Sequence, residues 1–532
     1  MRYFLHVLPI VFFISLGAQV PAWDWAINPV QHRGYQMGKS LISVDGLGYT
    51  YILSESRGIG ANPSLLSDSG VFLARVNRTG QVMWAKKIPG TPASICADQT
   101  GNVYVGGKMY SYTTPTVAVG AFISKYDLQG SLIWEYTSSN IYTSVTALTV
   151  SPSGKLFVTG SKADVMVIST KTLTGGHTFM AACFLPDGSL QWARSGEVVP
   201  DTSHLFGFGE QLCVDANDNL YVTYRYGTCP NWSCLNAGLL KLDQHGNYIL
   251  HKDYSGYDGV CNGIAVDAAG DIYMSHCKSA WTSGGSHVLR RYKPDMSSWY
   301  WEKEVAAWEC QDQFIDSRPL LDKQGSVYIA GAIGSQCGTY VDTLVYGTQT
   351  VITDSVQDIA LVKMDCLTGN YQKVWHIPGD LYDLVEQIDM DRLGNIYAVG
   401  LFNIHTYFNG NGSEANDTLC FGAHCLSGGT EGSQLFVAKL KLSSLDFNND
   451  VGLTTQSISK IRVAPNPSSG PVNFGVVPVN LVEVFNSTGQ CAGRFVPGPE
   501  NQINLEKFPD GIYFLRMVCG NAVSTGRLVL AR

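Results

Sequence analysis

One short motif recurs along this chain and restricts the folds that the chain can adopt. Its clearest copy is DQTGNVYVGG (98–107), in which a polar residue, two variable positions and a turn residue precede an apolar–aromatic–apolar triplet. The turn residues of its copies are Gly48, Gly101, Gly154, Asp218, Gly270, Gly325 and Gly394. The aromatic residues that follow them are Tyr51, Tyr104, Phe157, Tyr221, Tyr273, Tyr328 and Tyr397. A motif repeated about every fifty to seventy residues predicts stacked copies of one supersecondary unit.

Each repeat continues into a second hairpin. FISKYDLQGSLIWEY (122–136) and FMAACFLPDGSLQWAR (179–194) alternate apolar and polar residues around a glycine turn, which is a hairpin pattern. One repeat therefore predicts four antiparallel strands, A to D: an apolar strand, the aromatic strand, an F-x-x-[KR] strand and a Trp strand. Seven such units predict an all-β, seven-bladed β-propeller, which leaves only short strand edges. The matched aromatic residues are predicted to pack between blades, because a ligand platform would not need one in every blade.

The seventh repeat lacks a D strand of its own. LFVAKLKLSS (435–444) is its third strand, and no Trp-bearing strand follows it. AWDWAINPV (22–30) resembles the D strands and has no neighbouring hairpin partner. We therefore predict that this N-terminal segment is the outer strand of blade 7, with Trp25 on its rim, and that it closes a propeller spanning 23–443.

The N-terminus has the pattern of a secretory signal peptide, predicted over residues 1–22. Arg2 is the positive residue, and Leu8 to Gly17 is an apolar run too short to span a bilayer. No other apolar run approaches that length, so the mature chain is predicted to lack a transmembrane segment and to be secreted or attached to the outer-membrane surface. The net charge of −8, without a basic run, argues against nucleic acid as a partner.

Two stretches resemble known families. GIAVDAAGDIYMS (263–275) and the K/R-Y-D-x-x-G-x-x-x-W segments resemble the bacterial SBBP-type β-propeller repeat over roughly 38–442. That resemblance implies a fold and no activity. After a linker predicted at 444–460, residues 461–532 resemble the type A C-terminal sorting domain of the type IX secretion system. The motif residues that carry the second resemblance are Pro465, Asn466, Pro467, Gly470, Gly511, Tyr513 and Arg527.

The second resemblance implies a route of export. A protein with such a domain crosses the outer membrane of a Bacteroidota-type cell with the type IX translocon as its partner. The tail is then usually removed, and the protein is attached to lipopolysaccharide or released. Independently of the resemblance, the short alternating strands and frequent turn signals of this segment predict a small β-sandwich.

No motif for catalysis, a metal or a cofactor stands out in the chain. H-E-x-x-H, G-x-S-x-G, P-loop and G-x-G-x-x-G patterns do not occur, and the histidines are scattered. DFNNDVG (446–452) resembles a calcium loop but lacks the bidentate carboxylate that should follow, so a linker is the better interpretation. The Asp residues of the D-x-x-G turns are predicted to cap their own backbone. We therefore predict no catalytic residue, no metal and no cofactor.

Disulfides are compatible with an exported chain that contains 14 cysteines. If the A–B turn of the fifth repeat centres on residue 269, Cys261 faces Cys277 within disulfide distance. Further candidate pairs are Cys229–Cys234 and Cys420–Cys425, which close short loops, and Cys310–Cys337 and Cys491–Cys519, which are farther apart in the sequence.

Three functions stay open at this stage. The favoured one is a binding or adhesion module for an extracellular glycan or protein. The others are an enzyme (a polysaccharide lyase, a glycosidase or a quinoprotein-like dehydrogenase) and a structural part of a surface assembly. The A–B and C–D turns are tight, whereas the B–C loops are long, so recognition is predicted on the B–C face of blades 6, 7 and 1. The candidate residues are Tyr340, Tyr346, Tyr407, Phe408 and Phe421. Alternatively, these loops only cover the ring.

Overall fold

The computed structural model divides the chain into two compact units, Met1–Asp446 and Phe447–Arg532. It describes residues 22–29, 40–56, 70–111, 117–138, 140, 142–163, 165–199, 206–227, 236–253, 258–280, 284–308, 318–334, 343–353, 357–379, 382–404, 418–428, 433–442, 463–474, 479, 481–486, 491–498, 500–519 and 522–532. Almost all of these residues lie in β-strands or in the tight turns between them. No helix in these ranges is long and apolar enough to cross a membrane.

Seven four-stranded antiparallel sheets are present in the described part of the first unit, and we call them blades 1 to 7. The N-terminal strand is β1 (Ala22–Ile27). Blade 1 contains β2 (Leu41–Val44), β3 (Thr50–Ser56), β4 (Gly70–Val76) and β5 (Val82–Ile88). Blade 2 contains β6 (Thr91–Ala97), β7 (Val103–Ser111), β8 (Val117–Tyr126) and β9 (Leu132–Thr137). Blade 3 contains β10 (Ser144–Val150), β11 (Leu156–Lys162), β14 (Thr178–Phe184) and β15 (Leu190–Ser195), with an inserted hairpin of β12 (Met166–Ile168) and β13 (Lys171–Leu173).

The remaining blades repeat this order, with two further inserted hairpins. Blade 4 contains β16 (Phe206–Val214), β17 (Leu220–Gly227), β18 (Asn236–Leu242) and β19 (Tyr248–Asp253). Blade 5 contains β20 (Asp258–Val266), β21 (Ile272–Ala280), β22 (Gly284–Tyr292) and β23 (Trp299–Trp308). Blade 6 contains β24 (Leu320–Leu321), β25 (Ser326–Ile333), β28 (Asp358–Asp365) and β29 (Tyr371–Ile377), with the hairpin β26 (Thr343–Tyr346) and β27 (Gln349–Ile352). Blade 7 contains β30 (Tyr382–Met390), β31 (Ile396–Ile404), β34 (Gln434–Lys441) and β1, with the hairpin β32 (Thr418–Phe421) and β33 (His424–Ser427).

Apolar clusters join each blade to the next, and the last cluster joins blade 7 to blade 1, which is the closed packing of a β-propeller. Every matched aromatic residue of the repeat lies in the cluster between its own blade and the next, as predicted. Each is at least 98% buried. Burying an aromatic side chain of this size contributes about 4 kcal/mol gross, as an upper bound.

A second inter-blade contact comes from the Trp residues of the D strands. The indole N–H of Trp192 donates to the carbonyl of Gln244 in the C–D turn of the next blade, 2.9 Å away. The same ring covers Gly246, which has a φ of +75° and where a Cβ would come within 2.7 Å of the indole. Glycine is therefore required there for both backbone conformation and space. Equivalent bonds join Trp25 to Arg78, Trp84 to Leu128, and Trp301 to Cys366.

The ring closes through both its outer and its inner strands. On the outside, β1 pairs antiparallel with β34, which places Trp25 opposite Lys439. On the inside, side chains of β30 accept hydrogen bonds from the backbone of blade 1: Glu386 from Ser40, Gln387 from Ile42 and Asp389 from Val44, at 2.8 to 2.9 Å. These bonds satisfy backbone donors of Ser40 and of the adjoining β2, a strand that has a sheet neighbour on one side only.

The second unit contains two small antiparallel sheets. Its strands are β35 (Pro471–Asn473), β36 (Leu481–Phe485), β37 (Cys491–Phe495), β38 (Gln502–Asn504), β39 (Gly511–Cys519) and β40 (Ala522–Leu530). The larger sheet has the order β37-β36-β39-β40, and β35 pairs with β38. Val472 and Ile503 of the smaller sheet share one apolar core with Val484, Leu515 and Leu528 of the larger. The unit is therefore a β-sandwich.

The cysteines correct part of the disulfide prediction. Cys420 and Cys425 face each other in the β32–β33 hairpin and form a disulfide. Cys261 lies opposite His276 instead of Cys277, because β-bulges shift the register of β20, and its thiol is free and buried. The predicted Cys261–Cys277 bond is therefore not formed. Cys229, Cys234, Cys310 and Cys337 lie outside the described residues.

The last candidate pair, Cys491 and Cys519, is separated by a strand. These residues lie on β37 and β39, and β36 runs between them. Two strand spacings of about 4.8 Å exceed the Cα separation that a disulfide spans.

Candidate functional site

The P-N-P segment of the second unit covers the free edge of the C-terminal strand. The Asn466 side chain donates to the carbonyl of Arg527 at 2.7 Å and accepts from the N–H of Val529 at 2.9 Å. Two residues later, the backbone of Ser468 donates to Val529 and accepts from Ala531. Because an open strand edge can pair with other chains, this segment protects β40.

The other motif residues of the second unit divide into structural and exposed positions. Gly470 accepts from the backbone of Leu505, and a Cβ at Gly470 would lie 2.4 Å from the Glu506 side chain. Tyr513, two residues into the strand that Gly511 begins, is buried and donates to the carbonyl of Pro509. Arg527 is exposed and lies opposite Phe514, which is itself 48% exposed.

The predicted ligand-binding aromatics of the first unit are buried where the structure describes them. Tyr346 is 3% exposed, donates to the carbonyl of Val305 in blade 5 and packs edge-on against Tyr371. Phe421 is fully buried between Trp23 and Phe436, with ring centroids 4.9 and 5.0 Å away. The inserted hairpins turn these rings towards the outer strands, so the structure corrects the prediction that they face a ligand. Tyr340, Tyr407 and Phe408 lie outside the described residues.

A cavity of about 220 Å³ lies on the opposite face, among the A–B turns of blades 6, 7, 1 and 2. The prediction gave these turns no room for specific side chains. The lining consists of Val44, Asp45, Gly46, Gln99, Leu321, Asp322, Lys323, Gln324, Met390, Asp391, Arg392, Leu393 and Gly394. The cavity therefore brings together four segments that are far apart in the sequence.

The three carboxylates of the cavity belong to the turns themselves. Asp391 accepts from the backbone N–H groups of Leu393 and Asn395 and from the hydroxyl of Tyr397. Asp45 and Asp322 make the equivalent bonds in their own turns. Burial raises the pKa of the Asp45 and Asp391 carboxyls. The hydrogen bonds of these three carboxylates therefore stabilise the turns.

Other side chains that line the cavity do not form hydrogen bonds that stabilise the turns. Within the described ranges, the side chains of Gln99, Lys323 and Gln324 have no hydrogen-bond or ion-pair partner. Gln99 lies over Gly46, where a Cβ would be 2.4 Å from the Gln99 amide oxygen. Leu321, Met390 and Leu393 supply apolar surface. The arrangement can bind a small molecule through both hydrogen bonds and apolar contacts.

The cavity has no metal centre in the part of the chain that the structure describes. No group of three or more His, Cys, Asp or Glu side chains there is placed to hold a metal ion. The site was not predicted from the sequence because the tight A–B turns were expected to leave no room for side chains that bind a ligand. The available signal was the concentration of long side chains at the positions between Asp and Gly in the turns of blades 6, 7 and 2.

The second unit has a recognised relative. Residues 462–531 match the family model of the secretion system C-terminal sorting domain. This match indicates delivery by the type IX secretion system. In this domain, Asn466 and Gly470 stabilise the sandwich, whereas Arg527 is exposed.

Whole-chain comparisons are less informative. No match was found among curated proteins. A europium-containing methanol dehydrogenase is similar with a TM-score of 0.39 and 10% identity, covering 79% of this chain and 93% of that one. A protein of unknown function from Dyadobacter fermentans has a TM-score of 0.38 and 8% identity, covering 79% and 97%. One from Bacteroides caccae has a TM-score of 0.32 and 11% identity, covering 57% and 89%. Likenesses this distant carry no argument about activity.

Proposed function

We propose that the protein is an exported binding module, in which the propeller holds an extracellular glycan or protein. The sorting domain supports the export part of this proposal. The observation that carries the binding part is the cavity among the A–B turns. It presents Gln99, Lys323 and Gln324, whose side chains are not needed by the turns that carry them.

The packing of the ring favours binding on this face. The A–B turns are held by an Asp cap, or by Ser151 in blade 3, and by a buried aromatic residue, and Trp hydrogen bonds join blade 7 to 1, 1 to 2, 3 to 4 and 5 to 6. Side chains on such a scaffold lose little backbone entropy when a ligand binds. The cavity is therefore suited to recognition by pre-positioned groups.

The route of export completes the proposal. We propose that residues 1–22 direct the chain across the inner membrane and that the tail is cut between 443 and 460. The boundary between the two compact units, at 446 and 447, is consistent with this region. The propeller is then attached to surface lipopolysaccharide or released.

The export test removes residues 462–532 and measures the protein in periplasm, outer membrane and medium. We expect a folded propeller retained in the periplasm, and normal release would contradict the proposed route. The binding test applies the mature exported protein to glycan arrays and cell-surface protein arrays. Absence of binding on both would contradict the binding function.

A further inference from the structure

The seven A–B turns differ at two positions that the turn itself leaves free. The turn needs its Asp or Ser cap and a residue with positive φ, and these are present in every blade. Around the cavity, the intervening positions carry Lys323, Gln324, Arg392, Leu393 and Gln99. In blades 3, 4 and 5 the same positions carry Pro152, Ser153, Ala216, Asn217, Ala268 and Ala269. Long side chains are thus concentrated where the cavity is.

Gly46 is the exception that supports this pattern. It occupies the first variable position of the blade 1 turn. Because Gly46 has no side chain, the Gln99 side chain can lie directly against it. A larger residue there would force Gln99 away from the cavity. The turns of blades 1 and 2 are therefore fitted to each other at this point.

The charges of the cavity are close to balanced. Lys323 and Arg392 line the cavity together with the carboxylates of Asp45, Asp322 and Asp391. Asp45 also has Arg75 3.8 Å away, outside the lining. An ion would gain little Coulomb energy here while losing its hydration, so a neutral ligand is favoured.

The polar and apolar groups of the cavity match a sugar ring. The Gln99 and Gln324 amides each donate and accept, as sugar hydroxyls require, and the Lys323 ammonium donates. Leu321, Met390 and Leu393 can cover the C–H groups of the ring. A volume of about 220 Å³ is smaller than the roughly 300–1,000 Å³ of pockets for drug-sized ligands, which suits one ring.

We propose that this cavity binds a single neutral hexose unit of an extracellular glycan. The inference rests on the proposed binding function and adds its ligand class and its site. Delivery by the sorting domain brings the cavity to the compartment where such glycans are present. Recognition of one ring also fits a terminal residue of such a glycan.

The test measures binding of methyl hexosides to the full-length protein by saturation-transfer NMR, beside methyl uronosides and neutral dipeptides. We expect binding of a hexoside, with at least a tenfold loss of affinity in Gln99→Ala/Gln324→Ala. Leu393→Trp, which fills the cavity, should abolish binding. The matched control is Asn217→Ala, in the equivalent turn of blade 4, and should bind as the wild type does. Unchanged thermal unfolding verifies the fold of each variant.

The other outcomes overturn the inference in different ways. Preference for a uronoside or a dipeptide would overturn the ligand class. Hexoside binding that survives both cavity variants would overturn the site. Absence of hexoside binding, together with a positive glycan or protein array, would overturn this inference and leave the binding function intact. Absence of binding in every assay would overturn both.

Discussion

The phenol of Tyr328 donates a hydrogen bond to the carboxylate of Asp322, 3.0 Å away and six residues earlier in the chain. The same bond recurs in other repeats, for example between Tyr397 and Asp391 at 3.1 Å. In blade 3 both partners change together, to Ser151 and Phe157. The two motif positions therefore form one unit: a capped turn tied to the aromatic residue that packs between blades.

We expect substitutions at these two positions to have non-additive effects on the free energy of unfolding. Tyr328→Phe and Asp322→Ser should each lower the free energy of unfolding by about 1–3 kcal/mol, because the first leaves the half-buried Asp322 carboxylate, and the second the buried Tyr328 hydroxyl, without its hydrogen-bond partner. The double variant reproduces blade 3 and should cost less than the sum, with a coupling energy of about 1 kcal/mol. Urea unfolding measures all three. Strictly additive losses would show that the hydrogen bond contributes nothing.

The Trp25 contact is expected to stabilise the ring where its two ends meet. Trp25→Phe removes the hydrogen bond to Arg78 and part of the packing on Gly80, and should cost about 2 kcal/mol. Trp299→Phe is the matched control, since Trp299 is 53% exposed, and should change stability by less than about 0.5 kcal/mol. Equal effects of the two substitutions would argue against a special role for the closing strand.

The sorting domain offers a test of its P-N-P segment. Asn466→Ala removes both hydrogen bonds to β40 and should lower the stability of the sandwich by about 2 kcal/mol. Amide exchange at residues 528–531 should accelerate, and the exported fraction should fall. Lys507→Ala, an exposed change in the same unit, is the control. Export that falls without faster exchange would assign Asn466 to recognition.

The buried turn carboxyls should make stability depend on pH in an unusual direction. Burial raises the folded-state pKa of Asp391 above its ordinary 3.8, so the folded state holds the proton more tightly. Stability from this group is present below pH about 4 and is lost as pH rises through the raised pKa. Relative to the wild type, Asp391→Asn should therefore gain stability as pH rises.

Asp187 is the control for the direction of this pH dependence of stability. Hydrogen bonds from Ser189 lower its pKa, so Asp187→Asn should lose relative stability as pH rises. Thermal unfolding between pH 3 and 7 measures both variants. The same slope for the two variants would contradict the assignment.

The repeat was sufficient to predict the blades and the position of the closing strand. Each D-x-x-G turn fixes a hairpin, and a surplus Trp strand at one end can only complete a deficient repeat at the other. Local irregularities were not predictable in this way. The bulge beside Cys261 moves the register by one residue, and nothing in an alternating pattern reports such an insertion.

The functional site was harder to predict for a related reason. Tyr346 and Phe421 occur in long B–C connections, where exposed aromatic residues often bind ligands. The connections fold back as hairpins and bury both rings, a tertiary effect that loop length does not reveal. The cavity depends on four turns meeting at one face, which only the closed ring brings together.

The pairing of β1 with β34 also sets an order of events for a nascent chain. Lys439 bonds to Asp24 across 415 residues, so the first strand has no sheet neighbour until almost the whole propeller has been translated. Contacts this distant along the chain form slowly, and the waiting edge can pair with the wrong neighbour. Ring closure therefore requires a nearly complete propeller: a chain that ends before residue 434 lacks β34, and the edge of β1 stays unpaired. The sorting domain follows β34 in the sequence, so a prematurely ended product would lack both the closed ring and the export signal.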